Sequence, residues 1–281
     1  MKNLSNRKNI IGIAGYRSNL AINFIKLYKS TCVFKLYKKD INNHNEFRKW
    51  IQKNKNLNYF INFAAITSVK YCKENKKKAL LTNYNSVVKM TKIIKNIKMN
   101  NFLYFLCLSS SHVFKKTKLY LKEDSVKKPD NYYGYTKLMM ENYIQKYTNN
   151  FYYKIGIARV FNYYDKKNKK SFFIKDIKIK LQNNKKKLKF TSINTKRDFI
   201  HSDDVSKALK HMLTNKLNGS YNVCSGIGIN LKKIILYLNK KYKNKKIIFD
   251  TKKNYDLIGN NNKLLKTGWK VTKKIGLNYF A

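Results

Sequence analysis

The sequence predicts an α/β fold, a doubly wound parallel sheet with a smaller C-terminal region. Three observations carry that expectation. Apolar runs alternate with helical patterns across the first 160 residues. The runs are continuous rather than alternating, which suits strands covered on both faces. Several end in small or hydroxyl-bearing residues, at the strand ends beyond which such sheets bind ligands.

The first run, "NIIGIAG" (9–15), reads as a buried strand, and Ala21, Phe24, Ile25 and Tyr28 mark the helix after it. "CVFKLY" (32–37) is a second strand and "NEFRKWIQK" (45–53) a second helix. A third strand, "NYFINFAA" (58–65), leads to a long helix over 79–98 and a fourth strand, "FLYFLCLSSS" (102–111). Pro129, the only proline, stands just before the next helix, where proline and Asp/Asn punctuation belong. "YYKIGIARVFN" (152–162) is the fifth strand. Beyond residue 165 the pattern loosens. A lysine-rich loop (165–170) and two further elements precede "KRDFIHSDDVSKAL" (196–209), "GSYNVCSG" (219–226) and a mixed segment. Residues 1–165 are expected to form one domain, with 196–225 returning to it. Residues 166–195 and 226–281 would form the smaller region.

The turn after the first strand is where a dinucleotide's phosphates would sit. Two glycine patterns can be laid on it. Gly12-x-x-Gly15-x-x-Ser18 keeps two glycines but cuts the strand to Ile10–Ile11. Gly15-x-x-Ser18-x-x-Ala21 keeps one glycine, a full strand and a sensible helix, and is the preferred reading. Ser18 and Ala21 are small enough for close backbone approach, though they lack glycine's freedom at positive φ.

The formal charge is +48, from Lys+Arg 62 against Asp+Glu 14. Such a charge ordinarily points to nucleic acid or a membrane surface. Here only five of the 62 are arginines (Arg7, Arg17, Arg48, Arg159 and Arg197), although bidentate phosphate and base contacts favour arginine. Lys, Asn, Ile, Tyr and Phe are inflated together, all residues with codons rich in A and T. Base composition explains the lysines better than a nucleic-acid partner does. The four cysteines (Cys32, Cys72, Cys107 and Cys224) form no C-x-x-C pair, which fits reduced thiols in the cytoplasm rather than a disulfide framework. No apolar run approaches the roughly 18 residues of a membrane span, and no secretion-signal core opens the chain. No metal site is expected.

"KKPDNYYGYTK" (127–137) sets Lys137 four residues after Tyr133, one helical turn away on the same face. Spacing alone is not diagnostic, because the chain holds four Tyr-x-x-x-Lys pairs. Only this one follows a serine-bearing strand by about two dozen residues and sits on a helix. An ammonium beside a phenol favours the phenolate, which is what acid–base work by such a pair requires.

Several stretches, in order, resemble the extended short-chain dehydrogenase/reductases of the NAD-dependent epimerase/dehydratase family that act on nucleotide sugars. "AGYRSNLA" looks like the NADP-binding turn of its reductase branches, with Arg17 inside it. "INFAAITSVKYCKEN" (61–75) resembles the strand that ends in two alanines. "LSSSHVF" (108–114) is similar to the strand end whose second hydroxyl residue, here Ser110, is catalytic. "PDNYYGYTK" resembles the family's Pro-x-x-x-Tyr-Gly-x-[ST]-Lys without departure. "ARVFNYY" (158–164) looks like Arg-x-x-Asn-x-[YF], and "KRDFIHSDDV" like Arg-Asp-[FY]-[IL]-His-Val-x-Asp, with Ser202 for the valine. "YNVCSG" and "IGNNNKLLKTGWK" (258–270) complete the order.

The resemblance implies a Rossmann-type dinucleotide-binding domain and a substrate-binding region. It implies that Ser110, Tyr133 and Lys137 are catalytic. Gly15, Arg17, Ser18, Asn19, Leu20, Ala64 and Ala65 would bind the cofactor, with Lys137 on the nicotinamide ribose. Ser111, His112, Asn162 and Arg197 would meet the substrate. Plainer roles stay open: Ser110 as a turn hydroxyl, Asn162 as a turn cap, Arg197 paired with Asp198 or Asp203, and His112 as core packing. His201 reads as structural.

The implied activity is an NAD(P)-dependent oxidoreductase of a nucleotide-linked sugar, reducing the C4 ketone of an NDP-4-keto-6-deoxyhexose. The alternative is an NAD-dependent nucleotide-sugar 4-epimerase. A 4,6-dehydratase would need Glu and Asp directly after the catalytic hydroxyl residue, where Ser111 and His112 stand. A different class is an inactive cofactor-binding scaffold or a nucleic-acid binder. NADP is expected ahead of NAD, because Leu36, Tyr37, Lys38 and Lys39 occupy the second strand's end, where NAD-dependent relatives carry a carboxylate. The resemblance also implies a homodimer through the helices at 79–98 and 132–147. Their apolar stripes (Val87, Val88, Met90, Ile94; Met139, Met140, Tyr143, Ile144) look wider than one core face needs.

Overall fold

The computed structural model describes residues 8–97, 99, 101–164, 172–183, 186–191, 193–242, 245–249 and 255–280. The lysine-rich loop at 165–170 lies outside the described residues. The chain opens with β1 (Asn9–Ala14), α1 (Asn19–Tyr28), β2 (Cys32–Tyr37), α2 (His44–Lys53) and β3 (Tyr59–Asn62). Next come α3 (Val69–Glu74), α4 (Lys76–Leu80), a π-helical turn (Leu81–Asn85), α5 (Ser86–Ile97), β4 (Tyr104–Ser110), α6 (Tyr132–Tyr147) and β5 (Lys154–Val160). The remainder runs β6 (Asn162–Tyr164), α7 (Phe172–Gln182), β7 (Lys187–Phe190), β8 (Lys196–His201), α8 (Ser202–Thr214) and β9 (Gly219–Val223). It closes with β10 (Gly228–Asn230), α9 (Leu231–Lys241), β11 (Lys246–Phe249) and α10 (Asn262–Leu265).

Two compact units result: residues 1–115, 126–159 and 206–221 in the first, and 116–125, 160–205 and 222–281 in the second. The first carries the six-stranded sheet, ordered β2-β1-β3-β4-β5-β9. β1 pairs in parallel with β2 and β3, and β3 in parallel with β4. This is the doubly wound Rossmann-type arrangement, with β1 inside the sheet and the chain crossing over it in both directions. Phe47, Phe60, Phe105, Ile51 and Leu57 are fully buried, with Phe60 edge-on to Phe47 at 5.5 Å and stacked on Phe105 at 5.3 Å.

Five helix starts are capped by Ser or Asn side chains. Ser18 caps α1, Asn43 α2, Ser68 α3, Asn131 α6 and Asn230 α9, each side chain accepting from a backbone N–H of the first turn. Of these helices only α2 has an acidic residue in that turn, Glu46.

The structure departs from the sequence reading in several places. β3 ends at Asn62, whose Oδ1 accepts from Ala64 N at 3.0 Å and turns the chain out of the sheet. The run at 152–162 is two strands, because β6 leaves to pair in parallel with β8. The long helix at 79–98 begins earlier, at Lys76, and widens through the π turn; α3 before it was not foreseen. Of the α5 and α6 stripes, Val87, Met90, Ile94, Met140 and Ile144 are buried in the unit's own core. Only Val88, Met139 and Tyr143 remain half-buried.

In the second unit, β10-β8-β6 form one small sheet and β11-β7 another. Its core gathers Leu188, Phe199, Ile234, Ile235, Leu238 and Phe280. Buried Asp198 fastens two loops: its oxygens accept from Ser225 N and Oγ, Gly226 N and Gly259 N. All four cysteines are buried and free. Among the described residues no helix is long and apolar enough to cross a membrane, and no cluster of His, Cys, Asp or Glu could hold a metal ion.

Candidate active site

β1 runs through Gly12 to Ala14, so the glycine turn is the one that starts at Gly15, whose φ is +71°. A Cβ on Gly15 would stand 2.4 Å from the backbone nitrogen of Ala64. The turn and the end of β3 thus meet at backbone distance, Gly15 against the main chain of Phe63 and Ala64. Ser18 N donates to Gly15 O at 2.9 Å, and Ser18 Oγ accepts from Ala21 N at 3.3 Å, which opens α1 at Asn19 and buried Leu20. Arg17 is exposed at the lip of the turn, 5.4 Å from the Tyr16 ring centroid. A helix N-terminus entered from a positive-φ glycine, free of carboxylates and flanked by an arginine, fits a pyrophosphate-bearing cofactor.

At the end of β2, buried Tyr37 donates from its hydroxyl to the carbonyls of Asp40 (3.0 Å) and Asn43 (3.1 Å), while Lys38 and Lys39 are exposed. The first carboxylate, Asp40, lies beyond the strand and accepts from Asn42 N and Nδ2.

α6 turns Tyr133, Thr136, Lys137, Met140, Glu141 and Ile144 inward. It can press on the turn after β4 because position 134 is glycine; a Cβ there would stand 2.2 Å from His112 O. Ser110 is the last residue of β4, and its Oγ accepts from His112 N at 3.3 Å. The Tyr133 ring lies edge-on to His112 at 5.6 Å. Asn131 Oδ1 accepts from Gly134 N, so its Nδ2 faces His112 Nδ1 at 3.0 Å. Nδ1 is therefore the acceptor, and the proton of the neutral imidazole sits on Nε2. Lys137 is buried, and its Nζ donates to Leu108 O at 2.8 Å. Burial pulls its pKa down to about 8, against the opposing pull of Cys107, Glu141 and Cys72. The end of β4 and the first half of α6 thus gather Ser110, Ser111, His112, Tyr133 and Lys137.

Three residues here were missed in the sequence. Glu141, one turn beyond Lys137, is fully buried and pairs with Arg159 of β5: Nε reaches its two oxygens at 2.9 and 3.1 Å, and a terminal nitrogen reaches Oε2 at 2.7 Å. Ser109 Oγ donates to Glu141 Oε1 at 2.5 Å. A carboxylate at the next inward position after Tyr133 and Lys137 was the available signal. Asn83, in the π turn, uses its amide as a backbone strand would: Oδ1 accepts from Ile66 N (2.8 Å) and Nδ2 donates to Ile66 O (2.9 Å). The same Nδ2 reaches Thr136 Oγ1 at 3.0 Å, joining the loop after β3 to α6.

Within the second unit, Asn162 Nδ2 donates to Asp198 O at 3.1 Å. Arg197 donates from one terminal nitrogen to Thr195 Oγ1 (2.5 Å), Lys196 O and Tyr255 O (2.8 Å). His201 Nδ1 accepts from Asp203 N at 3.0 Å, and its ring lies 5.4 Å from Tyr279.

This geometry has relatives. RMD from Pseudomonas aeruginosa, solved with NADPH, superposes with a TM-score of 0.82 at 20% identity over 97% of this chain and 95% of that one. The UDP-glucose 4-epimerase of Thermus thermophilus, solved with NAD, gives 0.82 at 12% identity over 96% and 98%. At such identities the likeness establishes the fold. A curated protein of Aggregatibacter actinomycetemcomitans, GDP-6-deoxy-D-talose 4-dehydrogenase, is 26% identical over 136 residues. That match spans 47% of this chain and 45% of the relative, under half of either. The sequence profile of the "NAD dependent epimerase/dehydratase family" matches residues 3–224. On that match, which covers most of its length, the chain belongs to the NAD dependent epimerase/dehydratase family.

Proposed function

We propose that this chain is an NADPH-dependent reductase of the C4 ketone of a nucleotide-linked 4-keto-6-deoxyhexose. The observation that carries the reading is the buried group at the end of β4, with Ser110 on the strand and Tyr133 and Lys137 one helical turn apart on α6. A relative named for 4-dehydrogenation of GDP-6-deoxy-D-talose supports the choice of carbon and sugar class. The absence of a carboxylate among residues 36–39 favours a cofactor with a 2′-phosphate.

Gly15, Arg17, Ser18, Asn19 and Leu20 would hold the cofactor's phosphates, and Ala64 and Ala65 would leave room beside them. When bound, the reduced nicotinamide supplies hydride to the ketone carbon. Tyr133 gives its hydroxyl proton to the C4 oxygen as that oxygen gains charge, and Ser110 donates a hydrogen bond to the same atom. Lys137, anchored on Leu108 O, keeps a positive charge one turn from Tyr133 and would hold the nicotinamide ribose. His112 offers its Nε2–H to a sugar hydroxyl.

Mass spectrometry of products from a panel of NDP-4-keto-6-deoxy sugars tests the reading. Each product molecule should gain two hydrogens, one as hydride and one as a proton, at the expense of one NADPH. Interconversion of C4 epimers without net NADPH consumption would make the chain an epimerase instead. NADPH should bind at least about tenfold more tightly than NADH at low salt, and the gap should narrow as salt screens the 2′-phosphate. Equal affinities at both salts would remove the argument for NADPH.

Lys137 sets the alkaline limit. Its ammonium is lost as pH rises through about 8, so turnover should fall above that pH. A rate that stays flat well above pH 8 contradicts the assignment. Lys137→Met should weaken both turnover and cofactor affinity, because one side chain serves both.

A further inference from the structure

Away from the end of β4, the first unit has a groove between α2 and α5, with a volume of about 390 Å³. His44 and Arg48 line it from α2, Lys89 and Lys92 from α5, and Ile93 and Asn96 complete it. Its α5 wall starts six residues past Asn83 and ends thirteen past it, about 9 to 20 Å along the helix from the turn that touches α6. No carboxylate lines the groove. Glu46, next along α2, faces Lys49 at 3.5 Å instead.

Two details separate this place from the general lysine background. Arg48 is the one described arginine with no hydrogen bond, ion pair or ring contact: Arg17 meets Tyr16, Arg159 meets Glu141, and Arg197 donates to backbone carbonyls. Its planar fork suits bidentate phosphate recognition, which the surrounding lysines cannot offer. The second detail is His44, whose Nε2 is buried with no hydrogen-bond partner. Burial and the ammonium of Lys89 both lower the pKa of His44, with only Asp40 opposing. An unpartnered buried ring nitrogen in a concave field of cations can, as the Nε2–H tautomer, donate to an anionic oxygen.

We propose that the α2–α5 groove is a second binding site, for a small molecule carrying two phosphoryl groups. Arg48 with His44 takes one group, and Lys89 with Lys92 the other. The volume falls within the range of small-molecule sites and exceeds what a single phosphate fills.

The test is calorimetric titration of inorganic pyrophosphate into the full chain at fixed, near-physiological ionic strength. The double variant Arg48→Gln/Lys92→Gln should lose about tenfold or more in affinity. The charge-matched double Lys233→Gln/Lys240→Gln on α9 should stay within about twofold of the parent. His44→Phe, which removes the orphaned nitrogen without changing net charge at neutral pH, should weaken binding severalfold and leave thermal unfolding in ligand-free buffer unchanged. Orthophosphate should bind more weakly than pyrophosphate. Equal losses in the two lysine-bearing doubles would show counter-ion condensation on a basic chain and overturn the proposal. So would an unchanged affinity in Arg48→Gln/Lys92→Gln, or a titration that never saturates.

Discussion

Replacing Tyr133 by Phe is expected to lower turnover by two to four orders of magnitude while leaving cofactor affinity within a few-fold. The general-acid contribution of a positioned side chain is typically about 10²–10⁴, and only the hydroxyl is removed. The ring itself is retained. It packs with Cys72 and Ala79 and lies edge-on to His112, so the helix and the turn after β4 keep their contact. NADPH fluorescence on binding measures the affinity, and single-turnover hydride transfer measures the chemistry. If Tyr133→Phe transfers hydride within tenfold of the parent, the proton must come from elsewhere, and the assignment of Ser110 and Lys137 goes with it.

The order of strands and helices was legible in the sequence because buried parallel strands write themselves as continuous Ile/Phe/Leu runs. The turn at Gly15 could be chosen over the one at Gly12 for a related reason: a strand ending at Ile11 would have been too short to span the sheet. Partner choice was not legible. Val87, Met90 and Ile94 make the same stripe whether they face a sheet or a second subunit, since burial is the only thing periodicity records. In the structure they face the core. The π turn was not legible, and neither was the pairing it carries: Asn83 satisfies both backbone groups of Ile66, seventeen positions earlier. Local propensity contains no trace of that pairing. Arg159 was read as one letter of a strand motif, and its partner is a carboxylate on a helix eighteen residues before it. The catalytic pair was readable for the opposite reason, because four residues on one helix fix which face two side chains share.

Arg159→Met should destabilise the protein by about 3–5 kcal/mol, the usual cost of stranding one member of a buried ion pair. Both side chains are fully excluded from solvent, and the guanidinium supplies three of the hydrogen bonds that hold the carboxylate. In the variant, Glu141 keeps Ser109 as a donor but loses its counter-charge, and the methionine still fills the space against the Phe114 ring, 5.0 Å from the guanidinium carbon. Chemical denaturation would measure the loss; a change under about 1 kcal/mol would mean the pair is already hydrated or replaceable. The double variant Glu141→Leu/Arg159→Met should recover most of the stability, because hydrophobic replacement of a whole buried pair is often neutral or better. Turnover should recover less completely. Glu141 is one of the groups that hold the pKa of Lys137 up against burial, so without it the alkaline limit should move below about 8. A double variant that regains stability with an unshifted pH profile would leave Glu141 a purely structural role. A shifted profile on a restored fold would make it a positioning residue for Lys137.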